Sequence, residues 1–89
     1  MKAVVVYRKN TEYERGVIDF VRDFTHRTGK VIEEIDPDSK MGEIFCEAHG
    51  VMEYPTVLGM DDNGKVLAEW KGALPRIDEV SYYAEDGGF

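Results

Sequence analysis

Hydrophobic and polar positions follow two periods along this chain. Ala3-Val4-Val5-Val6-Tyr7 is an unbroken apolar run rich in β-branched residues, the pattern of a strand covered on both faces and central in its sheet. The spacing then changes. Tyr13, Val17, Phe20, Val21, Phe24 and Thr28 fall on one side at 100° per residue, with Arg15, Asp19, Arg22 and His26 opposite, which predicts an amphipathic helix ended by Gly29. Val31 to Ile35 reads as a second strand; with a helix between them, the two strands should be parallel, joined by a right-handed crossover. Asp36-Pro37 has the form of an N-cap followed by proline in the first helical turn. The short helix it predicts runs to about His49, with Met41, Ile44, Phe45 and Ala48 inward and Glu43 and Glu47 outward. Gly50 supplies the left-handed stop and Val51 the apolar contact that usually accompanies it.

Pro55 opens the next strand. Thr56 to Met60 and Val66 to Trp70 flank Asp62-Asn63-Gly64, and Asn-Gly is a strong hairpin signal because both residues tolerate positive φ. Gly72-Ala73-Leu74-Pro75 then leads into a third helix that presents Leu74, Ile77, Val80 and Ala84 to the sheet, with Tyr82 and Tyr83 on its flanks. The predicted fold is α/β with the order βαβαββα: a four-stranded mixed sheet in spatial order 2-1-3-4. Helices cover both faces, the first and third on one and the second on the other.

With 89 residues there is room for one domain, expected over residues 1–84, and residues 85–89 read as a flexible C-terminal tail. A chain of this size buries roughly 60 to 65% of its unfolded surface. Apolar residues make up 43% and charged residues 33%, a balance that argues against disorder. Eighteen acidic against eleven basic side chains give a net charge of −7, so nucleic acid and anionic membrane are excluded as expected partners. The apolar run Ala3 to Val6 is too short for a signal peptide or a membrane span, and a cytoplasmic location is the expectation. A single cysteine, Cys46, cannot form an internal disulfide.

The element order resembles the thioredoxin-like superfamily, in the minimal thioredoxin/glutaredoxin form, over about residues 2 to 84. The resemblance is carried by Gly50-Val51, Tyr54-Pro55-Thr56, Asp62-Asn63-Gly64-Lys65 and Gly72. It implies a cis Tyr54–Pro55 bond facing the redox corner of the fold. It also implies a Cys-x-x-Cys at the start of the first helix, where the helix dipole lowers the first thiol's pKa and makes it a nucleophile. Here that place reads Thr11-Glu12-Tyr13-Glu14, with neither sulfur. The acidic proton relay six positions upstream maps to Val5. A threonine hydroxyl is too weak an acid to be activated by a helix terminus alone, and no histidine or carboxylate is placed to act as its base. Thr11 and Glu14 instead stand as T-x-x-E, a capping box contributing about 1 kcal/mol.

Cys46 and His49 are three apart on the second helix, both off its apolar stripe, so Cys46 is a possible reactive thiol. Zinc would need two further ligands, and none is recognisably spaced; no metal and no cofactor are expected. A glutathione site of the glutaredoxin kind would need a Gly-Gly and an acid before the last helix, and Gly72-Ala73-Leu74-Pro75 matches poorly. His26 reads as a solvated surface residue and Trp70 as sheet packing.

These readings favour a redox-inactive thioredoxin-like protein-binding or adaptor module over an enzyme. The resemblance implies that clients dock on three loops meeting at one edge: Asn10, Thr11, Glu12 and Tyr13; Tyr54 with Pro55; and Gly72 with Ala73. Tyr54 can also present backbone groups to an extended peptide segment. The alternatives are a divergent thiol-disulfide oxidoreductase or monothiol protein acting through Cys46, and a structural homodimer subunit joined through Tyr82, Tyr83 and Phe89. The expected assembly is a monomer or weak homodimer.

Overall fold

The computed structural model describes residues 1–87. Its elements run β1 (Lys2–Val6), α1 (Glu14–Thr28), β2 (Lys30–Ile35), α2 (Lys40–His49), β3 (Thr56–Met60), β4 (Val66–Lys71), α3 (Ile77–Ser81) and β5 (Glu85–Asp86). The described residues form a five-stranded sheet in the order β4-β3-β1-β2-β5, not one of four strands. The inner order 2-1-3-4 is as expected. The added strand comes from Glu85 and Asp86, which pair antiparallel with Val31 and Lys30. Gly88 and Phe89, the rest of the expected tail, lie outside the described residues.

β1 is central because its alternate side chains are wanted on both faces. Val4 and Val6 join Leu58, Met60, Cys46 and Val51 under α2, whereas Ala3, Val5 and Tyr7 join Val17, Phe24, Val57 and Val80 under α1 and α3. β1 pairs parallel with β2 and antiparallel with β3. Four consecutive strand residues, Ala3 to Val6, are buried on alternate faces, which stabilises both sides of the sheet at about 25 cal/mol per Å² removed from water. Leu74, Ile77 and Ala84 pack against the α1 side as expected, although α3 itself spans five residues only. Gly59 leaves space on β3 for the Tyr83 ring, which meets Trp70 edge-on at a centroid separation of 6.0 Å. Tyr82 remains exposed beside it.

Three local expectations are corrected. The N-cap of α2 is Ser39, whose hydroxyl accepts from the Gly42 amide at 3.0 Å. Asp36 stands earlier, accepting the Asp38 amide on its carboxylate at 2.9 Å and the Ser39 hydroxyl on its carbonyl at 2.7 Å. The helix is also rotated from the expected face: Gly42 and Cys46 are buried and Phe45 and His49 half-buried, while Met41, Ile44 and Ala48 are exposed. The cause is a backbone contact. A Cβ on residue 42 would overlap the Asp36 carbonyl, so the glycine must face inward there, and positions 45, 46 and 49 follow it at helical spacing.

In the hairpin, Gly64 has positive φ and Asn63 does not. The turn is held by Asp61, whose carboxylate accepts from the Asn63 and Lys65 amides, each at 2.9 Å. This fits a five-residue loop with a left-handed glycine near its end better than a two-residue turn. No helix among the described residues is long and apolar enough to cross a membrane.

Candidate functional site

The loop after β1 sits at that strand's carboxyl end, where α/β folds place their binding crevices. Thr11 Oγ1 donates to the Arg8 carbonyl at 2.9 Å, the Arg8 amide donates to the Tyr13 hydroxyl at 3.1 Å, and the Asn10 amide donates to Glu14 Oε1 at 3.0 Å. The expected Thr11–Glu14 capping box is therefore not formed. α1 starts at Glu14 with Tyr13 at its N-cap position and no side-chain cap there; Glu14 reaches back one residue further, to Asn10, whose φ is 61°. The threonine is engaged inside the turn, so it is not available to the helix end.

A second loop lies beside this one. The Tyr54–Pro55 peptide bond is cis, Pro55 and Thr56 are buried, and Thr56 Oγ1 donates to the Glu53 carbonyl at 2.6 Å. The Arg8 guanidinium sits over the Tyr54 ring, 5.0 Å from its centroid, and Arg8 Nε lies 3.4 Å from Asp38 Oδ1. One arginine thus ties together the loop after β1, the cis-proline loop and the turn before α2. A cation–π contact at a partly exposed site contributes about 0.5–1 kcal/mol. Gly72 closes the third side: a Cβ placed there would lie 3.1 Å from Glu53 Oε2. Ala73 beside it is exposed.

Of the expected site residues, Thr11 and Tyr13 bond the Arg8 backbone and Tyr54 lies under its guanidinium, Asn10 is tied to Glu14, Glu12 and Pro55 stand beside them in the chain, and Gly72 lies close to Glu53. Arg8 and Asp38 were not anticipated. Arg8 carries a weak signal, being the first charged residue after a buried strand. Asp38 carries none, since its position depends on the Asp36 turn.

Cys46 lies under this edge, only 8% exposed, beside Tyr54. Burial pushes its thiol pKa up; the Tyr54 hydroxyl and the Arg8 guanidinium pull the other way without cancelling the shift. Tyr54 is also shifted up, by burial first and then by the neighbouring thiol. A thiol held protonated is a poor nucleophile. The expected pairing of Cys46 with His49 is replaced by two separate contacts, for the His49 ring packs on Phe45 at 4.5 Å between centroids. Val5, at the place of the family's acidic relay, is fully buried among apolar neighbours. Among the described residues no three histidine, cysteine, aspartate or glutamate side chains are grouped to hold a metal ion.

No family model matches the chain, and no curated protein matches it. Among solved structures, thioredoxin 1 from the thermophilic eubacterium Thermosipho africanus superposes with a TM-score of 0.67 at 17% identity, covering 93% of this chain and 89% of that one. The fold is thioredoxin-like, and at that identity the likeness speaks for the fold alone.

Proposed function

We propose that this thioredoxin-fold chain, with one cysteine and no Cys-x-x-Cys, is a non-catalytic module that binds an extended peptide segment of a partner protein at the Tyr54–Pro55 edge. The observation that carries the reading is the state of Tyr54. Its ring is half-buried and held by Arg8, and β3 begins only at Thr56, so the Tyr54 backbone lies outside the ladder. Unpaired backbone groups beside an anchored aromatic are what strand addition uses: main-chain hydrogen bonds supply affinity and the ring supplies a contact surface. Asn10 to Tyr13 and Gly72 with Ala73 flank that position. The single buried thiol supports the same reading, because disulfide exchange needs an accessible thiolate and a second sulfur.

Insulin reduction by dithiothreitol tests the chemistry, and the expected result is no acceleration by the protein. Selection from a displayed library of extended peptides tests the binding. Tyr54→Ala is expected to weaken a selected peptide by about 2 kcal/mol, the scale of an aromatic anchor, while the loss of its contact with Arg8 lowers stability by only about 0.5–1 kcal/mol and leaves the protein folded in a circular dichroism melt. Equal binding by that variant overturns the module.

One observation favours a second reading, a monothiol protein: Cys46 lies beside Arg8 and Tyr54 at this same edge. Insulin reduction that disappears in Cys46→Ser would establish it.

A further inference from the structure

The rotation of α2 leaves an apolar face without a partner. Met41 is 77% and Ile44 56% exposed, and the groove between α2 and β2 that they border has a volume of about 470 Å³. Ile35, Phe45 and His49 line it, as do Glu33, Glu34 and Asp36, the Asp36 carboxylate also accepting the Asp38 amide. Ile35 faces the groove because it pairs with Val6, so both lie on the α2 side of the sheet, and Glu33 does the same opposite Val4. α2 covers β1 and β3 on this face, and β2 is left beside it.

We infer that this groove is a second binding surface, taking a cationic segment of a partner protein whose aliphatic side chains enter between α2 and β2. The commitment to a cationic occupant rests on charge. Acidic side chains line the groove, no lysine or arginine among the described residues lines it, and the chain as a whole carries −7. A second copy of the chain would bring two acidic rims together, and an anionic membrane would be repelled in the same way. Lys2 reaches Glu33 at 3.1 Å, but both side chains are substantially exposed, so the pair is weak and exchangeable for a partner's cation. Exposed aliphatic side chains bordered by charge are the usual form of a protein-docking patch. The inference does not depend on the Tyr54 edge, with which the groove shares only the turn before α2.

The probe is a fluorescein-labelled synthetic amphipathic peptide of leucine and lysine, followed by anisotropy, beside a glycine, serine and lysine peptide of equal charge. The leucine-containing peptide is expected to bind and the other to bind far more weakly. Met41→Ser combined with Ile44→Ser is expected to weaken binding by about tenfold or more. Glu33→Gln with Asp36→Asn is expected to weaken it by about threefold and to flatten its salt dependence. Tyr54→Ala is expected to leave it unchanged. The four groove positions are at least partly exposed, and a circular dichroism melt of each variant confirms folding. Three results would each overturn the inference: equal binding of both peptides, unchanged binding by the Met41/Ile44 double variant, or a dimer in sedimentation that the same double variant dissociates.

Discussion

Tyr7 shows how one side chain sets a pH limit. It is buried at the end of β1 and donates to Glu34 Oε1 at 2.8 Å; burial first, and then that carboxylate, pushes its pKa up to about 12 from an ordinary 10.0. Below pH 10 the folded and unfolded chains both keep the proton. Between 10 and 12 the folded chain keeps it and the unfolded chain releases it, so stability falls as pH rises through that window. Urea midpoints across this range are expected to decline in the parent and to decline less steeply in Tyr7→Phe. Cys46 titrates in the same upward sense. Its alkylation by iodoacetamide is expected to have a midpoint above the ordinary value of about 8.5, and Arg8→Ala, which removes a cation that pulls the pKa down, is expected to move it higher still.

At the scale of an element, α2 carries the clearest lesson. Exchanging Gly42 for alanine would ordinarily strengthen a helix by about 1 kcal/mol. Here the new Cβ meets the Asp36 carbonyl, and overpacking against backbone costs about 1–3 kcal/mol, so the variant is expected to melt several degrees lower. That contact also explains what the amino-acid sequence could and could not disclose. Strands β1 to β4 were legible because β-branched runs and glycine stops are local signals, and the inward stripe of α1 was legible because Val17 and Phe24 repeat at helical spacing. The orientation of α2 was not, because Met41, Ile44 and Ala48 make as good a stripe as the true one, and a backbone contact six residues upstream decides between them. β5 was hidden for a similar reason. Glu85 and Asp86 have no apolar pattern, and only their placement beside Val31 and Lys30 makes them a strand. At the candidate site, Tyr54, Pro55 and Gly72 were singled out by the resemblance and not by any local signal, whereas Arg8 and Asp38 became neighbours only when three loops closed on one another.

For the molecule as a whole, the two proposed surfaces have different origins. The Tyr54 edge lies where loops from several elements meet, and the groove lies where one helix is too narrow to cover its face of the sheet. β5 pairs only with Lys30 and Val31, so the outer margin of β2 from Ile32 to Ile35 has no strand beside it among the described residues. Glu33 and Glu34 stand on that margin, on opposite faces of the sheet. Charged side chains on an exposed margin deter edge-to-edge pairing between copies. The protection is conditional on ionisation: as acid brings the chain toward its isoelectric point near 4.7, the repulsion between copies fades. Light scattering is expected to rise reversibly with protein concentration near that pH and not at pH 7, and Glu33→Val is expected to shift the onset upward. A two-residue strand thus leaves the guarding of this margin to a few ionised carboxylates, and acidification alone is expected to turn it adhesive.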